Sequence, residues 1–361
     1  MMEIPCAVVG AGPAGLCAAI EAARRGVEVH VFDENPKPGG QLFKQIHKFF
    51  GSKGHWAGIR GINIGEQLLS EARDLGVTVH LETSVWGIFD GFRLGITCNG
   101  RAEEVRAKAV AVATGAMENT LIFPGWTLPG VMGAGAAQTM LHIFRLRPGE
   151  KALMVGSGNV GLIVAYQLLQ AGCGVEAVLE ALPEIGGYHV HAGKITRMGV
   201  PILTEHTIQE ARGTDRVRTA LIARIDPVNR RPIEGTIREM AVDLICIAVG
   251  LTPMIELLRL MPCDMVYVNS LGGYVPRHDE RMMTTVPGLF VAGDASGIEE
   301  ACTAMDEGRL AGIGLAEYLG YIDFEQARRD CAAIKRSLDG LRLGPFGEER
   351  GQAKSYQMVS D

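Results

Sequence analysis

The sequence predicts an α/β chain built from two nucleotide-binding units of Rossmann type. Three observations carry this. Glycine-rich turns at 10–15 and 156–161 each follow a short apolar run and open a segment rich in alanine or leucine. In both halves an acid, Asp33 or Glu180, stands at the tip of the next apolar run. A length of 361 residues suits two domains of roughly 150 residues each.

Residues Ile4–Val9 read as a buried strand, and Gly10-Ala11-Gly12-Pro13-Ala14-Gly15 follows at once. Leu16–Arg25 reads as a helix ended by Gly26, and Val27, Val29 and Val31 alternate as a second strand before Asp33 and Glu34. This is G-x-G-x-x-G in its required context of strand, turn, helix and acid. Gly10 permits the tight turn, Gly12 lets the backbone approach a pyrophosphate, and Gly15 lets helix and strand pack closely. The helix start offers free N–H groups and a positive dipole end to an anion. Asp33 suits a ribose hydroxyl. The bland alternative is a βαβ turn that binds nothing.

Residues 36–65 follow, with Gln41, Lys44, His47, Lys48, Phe49, Phe50, His55 and Trp56. A loop of this length is functional or structured. One reading is a cover over the bound cofactor that also contacts a partner. The other packs Phe49 and Trp56 into the core as a helix, and His47 and His55 read as surface or structural residues rather than catalytic ones.

Lys151–Val155 reads as a strand, Gly156-Ser157-Gly158-Asn159-Val160-Gly161 as its turn, Leu162–Ala171 as a helix and Val175–Leu179 as the next strand. The acid Glu180 favours a free ribose 2′-hydroxyl, hence NAD(H) over NADP(H). The alternative occupant is ADP or ATP, or nothing. Charge and apolar residues alternate over 205–240 and suggest a β-meander, and the last ten or so residues read as a mobile tail.

Hydrophobic residues make up 47%, charged residues 21%, and the net charge is −6. An acidic chain argues against nucleic acid or anionic membrane as the main partner. No apolar run reaches a membrane span. The run Ile4–Ile20 lacks the basic start of a signal peptide, so a cytoplasmic location is expected. None of the eight cysteines forms a Cys-x-x-Cys pair, which removes the local signal for a redox dithiol, a zinc ribbon or a ferredoxin-type cluster.

Two further strings carry a resemblance. Ala109–Ala113 runs into Thr114-Gly115, and Thr284-Thr285-Val286-Pro287-Gly288 leads into Leu289-Phe290-Val291-Ala292-Gly293-Asp294. The chain resembles the two-dinucleotide-binding flavoproteins typified by glutathione and thioredoxin reductases. The resemblance implies that the second unit is inserted into the first, giving an FAD domain over 1–125 and 252–361 and an inserted NAD(H) domain over 126–251. It implies that Asp294 grips the FAD ribityl chain beside Gly293. It also implies a helix over Ile298–Leu315 whose first N–H groups, near Glu300 and Ala301, face the flavin pyrimidine. Gly40, Gln41, Val85, Thr114 and Gly115 complete the expected FAD set. Gly250, in the turn Gly250-Leu251-Thr252-Pro253, closes the expected second site.

Within this superfamily the chain is similar to a narrower group through Pro124-Gly125-Trp126-Thr127-Leu128-Pro129-Gly130-Val131, Gly186-Gly187-Tyr188-His189 and Gly297-Ile298-Glu299-Glu300-Ala301. That group holds the nucleotide-binding subunits of dye-linked proline dehydrogenase, opine oxidase and hydrogen cyanide synthase, and part of the sarcosine oxidase α subunit. Small residues stand where thioredoxin reductase carries its dithiol. The resemblance implies an electron-transfer subunit of an amine or imino-acid dehydrogenase complex, working with a second flavoprotein subunit. Only Cys331 lies near the C-terminal end, so an iron–sulfur cluster, if used, is expected on another small subunit. An oligomer is expected. Two rivals stand beside this reading: a stand-alone NADH-dependent flavin reductase, and a nucleotide-binding scaffold without turnover. No general base is assigned, because no His or carboxylate is placed beside a substrate carbon.

Overall fold

The structure is a computed structural model that describes residues 2–49, 52–344 and 347–359. The chain divides into two compact units, 1–117 with 252–361, and 118–251. Residues 118–125, placed with the first domain by the sequence reading, pack with the second unit, whose core buries Phe123.

In the first unit, strands Thr78–His80, Val29–Phe32, Met2–Val9, Arg101–Val112 and Leu289–Val291 lie side by side and parallel. The order places the switch of direction beside Met2–Val9, where the crevice of such a sheet receives its ligand. Arg101–Val112 is long enough to pair twice. Its first half closes an antiparallel meander with Arg93–Cys98 and Thr83–Phe89. The parallel-paired parts of the central strands, Cys6–Val9, Val29–Phe32 and Ala109–Val112, are buried, as expected of parallel strands covered on both faces.

Two helices cross on one face of this sheet, Pro13–Arg24 and Ala301–Tyr318. Their contact is built from small residues. A Cβ on Gly308 would stand 2.1 Å from the Ala14 carbonyl oxygen, and one on Gly312 2.4 Å from that of Ala18. The alanines of the first helix and the glycines of the second are therefore read as backbone-to-backbone packing.

The second unit repeats the plan. Strands Ile202–Leu203, Gly174–Leu179, Lys151–Val155, Leu244–Ile247 and Val131–Gly133 form a parallel sheet. The expected meander is present as an antiparallel sheet of His206–Arg212, Thr219–Arg224 and Arg238–Ala241. No helix among the described residues is long and apolar enough to cross a membrane.

Two expectations are corrected. The late helix begins at Ala301, not Ile298, because the 3-10 turn Gly293–Ser296 and Gly297, at φ +127°, keep the chain out of helical geometry until Glu300 caps it. The C-terminal segment is not a tail along its described length. Glu348–Ser355 is a helix, Lys354 and Gln357 are buried, and the Val359 N–H donates to the His278 carbonyl at 2.9 Å. Side chains that look solvated in the sequence find partners inside the fold: Lys354 at Ser296 and Glu307, and the Gln357 amide nitrogen at His278 Nε2. Ser360 and Asp361 lie outside the described residues.

Candidate nucleotide sites

The first glycine turn is fixed from within at two of its three glycines. Gly10 has φ +103°, and a Cβ there would sit 2.4 Å from the Ala113 carbonyl oxygen. A Cβ on Gly15 would sit 1.9 Å from the Gly10 carbonyl oxygen. Gly12 differs. Its φ of −74° suits any residue, and the nearest atom to an added Cβ is 4.0 Å away, the Cα of Gly40. Nothing inside the chain forbids a side chain there. The space is what a diphosphate would use beside the start of helix Pro13–Arg24, where Pro13 removes an N–H the helix cannot satisfy and Ala14 is buried.

Asp33 is buried and ties the glycine turn to Asn35. One carboxylate oxygen accepts the Ala11 N–H at 2.7 Å, the other the Asn35 N–H at 2.8 Å and its side-chain amide at 2.9 Å. A carboxylate offers about four acceptor positions, so one remains for a ribose hydroxyl. Glu34 points to solvent. The chain then crosses back over the turn, the Gly39 N–H donating to Ala11 at 2.6 Å, with Gly40 against Gly12 and Gln41 exposed. Val85 lies on the meander strand that leaves Asp33, the Thr83 N–H donating to the Asp33 carbonyl. Thr114 and Gly115 close the crevice: the Thr114 hydroxyl donates to Met254 at 2.7 Å and the Gly115 carbonyl accepts the Met254 N–H at 2.9 Å.

Asp294 sits in the turn Gly293–Ser296. Its carboxylate accepts one long hydrogen bond, from the Glu299 N–H at 3.4 Å. Loss of surrounding water pushes its carboxyl up to about 6, a rise the Glu299 N–H only partly opposes and the nearby Glu307 adds to. A desolvated carboxylate so poorly supplied with donors fits a ligand that brings hydroxyls. Helix Ala301–Tyr318 starts just beyond, and the Glu300 side chain makes no capping hydrogen bond to it. Its first turn keeps the positive end expected to face the flavin.

The described residues of segment 36–65 are structured. Among the described residues Phe49 is buried and Trp56 packs against the core; Phe50 lies outside them. His55 is 2% exposed and its Nε2 lies 2.9 Å from Asp306 on the late helix, while its Nδ1 meets Ser52 at 2.8 Å. Burial alone would raise the Asp306 carboxyl, but His55, Ser337 and Arg309 hold it below its ordinary value. The loop is thus pinned to helix Ala301–Tyr318, and sequence reasoning gave no role to Asp306.

The second unit is built the same way. Gly156 has φ +107° and a Cβ there would meet Ala248 oxygen at 2.1 Å; one on Gly161 would meet Gly156 oxygen at 2.2 Å. Gly158, like Gly12, has open space. Glu180 accepts the Ser157 N–H at 3.1 Å, its hydroxyl at 2.5 Å and the Leu182 N–H at 2.9 Å. Gly186 and Gly187 then cross the turn. The Gly186 N–H donates to the Ser157 hydroxyl at 3.1 Å, the Tyr188 N–H to the Asn159 side chain at 2.8 Å, and a Cβ on Gly187 would stand 2.9 Å from the Asn159 nitrogen. Val160 is exposed at the helix start, and Gly250, at φ +115°, lies beside Asn119. The glycine pair falls six and seven residues after the acid in both units, Asp33 to Gly39-Gly40 and Glu180 to Gly186-Gly187. That shared spacing is a signal the sequence reading missed.

No sulfur stands at the start of helix Ala134–His142. Its Gly135 N–H donates to the Glu118 carboxylate at 2.7 Å, and a Cβ on Gly133 would meet that carboxylate at 2.2 Å. No disulfide forms among the described residues, and burial pushes Cys6 and Cys17 up to about 12.

Two such units define a two-dinucleotide-fold oxidoreductase. The chain belongs to the pyridine nucleotide-disulphide oxidoreductase family, whose model matches residues 4–308, an FAD-dependent family that also binds NAD(P). Among curated relatives it is 30% identical over 330 residues to the A subunit of opine oxidase from Agrobacterium tumefaciens, covering 85% of this chain and 64% of that protein. It is 29% identical over 335 residues to hydrogen cyanide synthase subunit HcnB of Pseudomonas aeruginosa, covering 87% of this chain and 71% of that one. The chain thus spans just under two thirds of the first relative's length. The structure of L-proline dehydrogenase from P. horikoshii superposes with a TM-score of 0.70 at 23% identity, over 94% of this chain and 59% of that one, and shares the fold.

Proposed function

We propose that this chain is the FAD-carrying electron-transfer subunit of an amine or imino-acid dehydrogenase complex, with NAD(H), or ADP or ATP, in its second unit. The observation that carries the FAD assignment is the pairing of an open Gly12 with the donor-poor carboxylate of Asp294. One accommodates a diphosphate and the other a sugar-alcohol chain. When bound, the isoalloxazine supplies the two-electron chemistry. The chain's residues would bind and orient it: Asp33 at the adenosine ribose, the open Gly12 and the start of helix Pro13–Arg24 at the diphosphate, and Asp294 at the ribityl hydroxyls. The start of helix Ala301–Tyr318 favours negative charge near the pyrimidine.

The complex is supported by two findings. Opine oxidase and hydrogen cyanide synthase relatives are named as subunits, and this chain has no cysteine pair through which to pass electrons to a disulfide. A second flavoprotein subunit would then meet the amine, and any iron–sulfur cluster would sit on a further subunit. The test is affinity purification from the native host with absorbance spectra of the proteins that co-elute. A co-purifying flavoprotein that oxidises proline, hydroxyproline, an opine or sarcosine supports the reading. A pure homo-oligomer whose flavin is bleached rapidly by NADH overturns it in favour of a stand-alone reductase. Tightly held ADP or ATP without bleaching and without a partner activity points to a scaffold.

A further inference from the structure

Six residues after the Gly293–Ser296 turn begins, the chain starts to collect charge where charge is costly. Glu299, Glu307, Arg342 and Lys354 converge with side chains only 2 to 16% exposed. We propose that Lys354, on the C-terminal helix Glu348–Ser355, is a positioning residue of the FAD site: it holds the Gly293–Ser296 turn, and with it Asp294, in the geometry the ribityl chain requires. The proposal rests on the FAD reading of the first unit.

Glycines at φ +70° and +127° bound the turn, Gly293 at its start and Gly297 just beyond. Inside it the Gly297 N–H donates to the Asp294 carbonyl at 3.0 Å, and the Ser296 hydroxyl lies 2.9 Å from the Gly293 carbonyl. Further fixings come from outside. The Glu307 carboxylate accepts the Gly293 N–H at 3.1 Å and the Ser296 hydroxyl at 2.8 Å. Lys354 Nζ donates to that hydroxyl oxygen at 2.8 Å and to the Ser296 carbonyl at 3.1 Å, and lies 2.7 Å from the other Glu307 oxygen. One carboxylate–ammonium pair therefore grips both ends of the four-residue turn, and Asp294 lies between the grips. Arg342 completes the charge balance, 2.8 Å from Glu307 and 2.6 Å from Glu299. Burial would raise the Glu307 carboxyl, but Lys354 and Arg342 keep it low and ionised.

Helix Glu348–Ser355 is itself anchored. The buried Gln357 amide meets His278 Nε2 at 3.0 Å, and backbone bonds join 278 to 357 and 359. Stability alone is a poor reason for such a cluster, because buried ion pairs are often replaced by apolar residues at no loss. What an apolar residue could not do is hold two backbone groups and a hydroxyl of the turn at fixed distances.

The test compares full-length native protein with Lys354→Met, Lys354→Arg and Ser296→Ala. Lys335→Met, at a partly buried residue of helix Phe324–Leu341 that pairs with Glu280 away from the turn, serves as control. Each is stripped of flavin and titrated with FAD, and the midpoint potential of the reloaded flavin is measured. Lys354→Met is expected to raise the FAD dissociation constant at least tenfold and to move the potential negative, since a nearby cation is lost. Lys354→Arg is expected to recover part of the affinity, and Lys335→Met to change neither. Ser296→Ala keeps every charge and covers the case in which Lys354→Met fails to fold; it is expected to weaken FAD several-fold. If the variants that fold bind FAD within twofold of native with an unchanged potential, even at a lower melting temperature, Lys354 is structural only and the proposal is overturned. Native protein that takes up no FAD would overturn the reading of the first unit together with this one, so the two failures are distinguishable.

Discussion

Asp294 provides a quantitative handle on the flavin site. In the unliganded fold its carboxyl titrates at about 6 rather than 3.8, chiefly because it is desolvated. Ribityl hydroxyls donate to the ionised form, so FAD selects the carboxylate and must displace a proton wherever one is bound. The observed affinity then scales with the ionised fraction, which is close to complete at pH 7 and about one in eleven at pH 5, a loss of about tenfold. At pH 5.5 binding should release about 0.8 proton.

The stability of the unliganded protein runs the opposite way. A carboxyl whose folded value lies above its unfolded one stabilises the fold at low pH. That contribution is lost as pH rises from about 4 through about 6. The assay is FAD titration by calorimetry from pH 5 to 7.5 in buffers of different ionisation heat, on native protein and on Asp294→Asn. Native protein should bind more tightly as pH rises and release protons near pH 5.5. Asp294→Asn should bind more weakly at pH 7 and lose most of the slope. A flat native profile, or an unchanged slope in Asp294→Asn, would refute the reasoning, because the titrating group would lie elsewhere.

Other outcomes follow from the same geometry. Gly12→Ala meets no internal obstacle, so it should fold with near-native melting yet bind FAD at least tenfold more weakly, whereas Gly10→Ala and Gly15→Ala should compromise folding, as circular dichroism would show. His55→Ala leaves Asp306 with Arg309 and Ser337 but frees the loop over 52–59; it should cost about 1–3 kcal/mol and open that loop to limited proteolysis. A thiol reagent at pH 8 should label Cys98 and Cys263, the two partly exposed thiols, in native protein and all eight in denaturant. Rapid labelling of Cys6 or Cys17 would contradict the burial that pushes them up to about 12.

What the sequence made legible is what short spacing encodes. Within each unit the glycine turn, its helix and the acid at the strand tip lie within some 25 residues, and each part has a local reason to be where it is. The meander over 205–240 was legible because alternation is a period-two signal. The clamp on the flavin turn was not. Glu307 and Lys354 are ordinary charged residues within helices and Arg342 caps the end of a third, and only tertiary packing brings them together inside the fold. The same holds for His55, which reads as a surface histidine until Asp306 is found 251 residues away along the chain. The mistaken mobile tail had one cause: burial of Lys354 and Gln357 is offset by partners that composition does not reveal.

The second unit bears on whether this chain merely holds its shape or binds a nucleotide there. Gly156 and Gly161 are explained by the chain itself, since a side chain at either would strike backbone. Gly158 is not: it has φ −64° and open space where a Cβ would go. Alanine at such a position gains about 0.4–1 kcal/mol by restricting the unfolded chain, offset in part because glycine caps a helix better than alanine. Gly158→Ala should therefore leave the melting temperature of the unliganded protein within a few degrees of native. If the unit takes NAD(H), ADP or ATP against the helix start at Asn159, the added methyl occupies the ligand's space and nucleotide affinity should fall at least tenfold, while FAD binding in the first unit is untouched. Equal affinity in Gly158→Ala and native protein would show that no diphosphate approaches this turn. The repeated acid, glycine pair and crossing segment would then be architecture carried without a ligand, and hydride transfer from a nicotinamide would have to be abandoned for this chain.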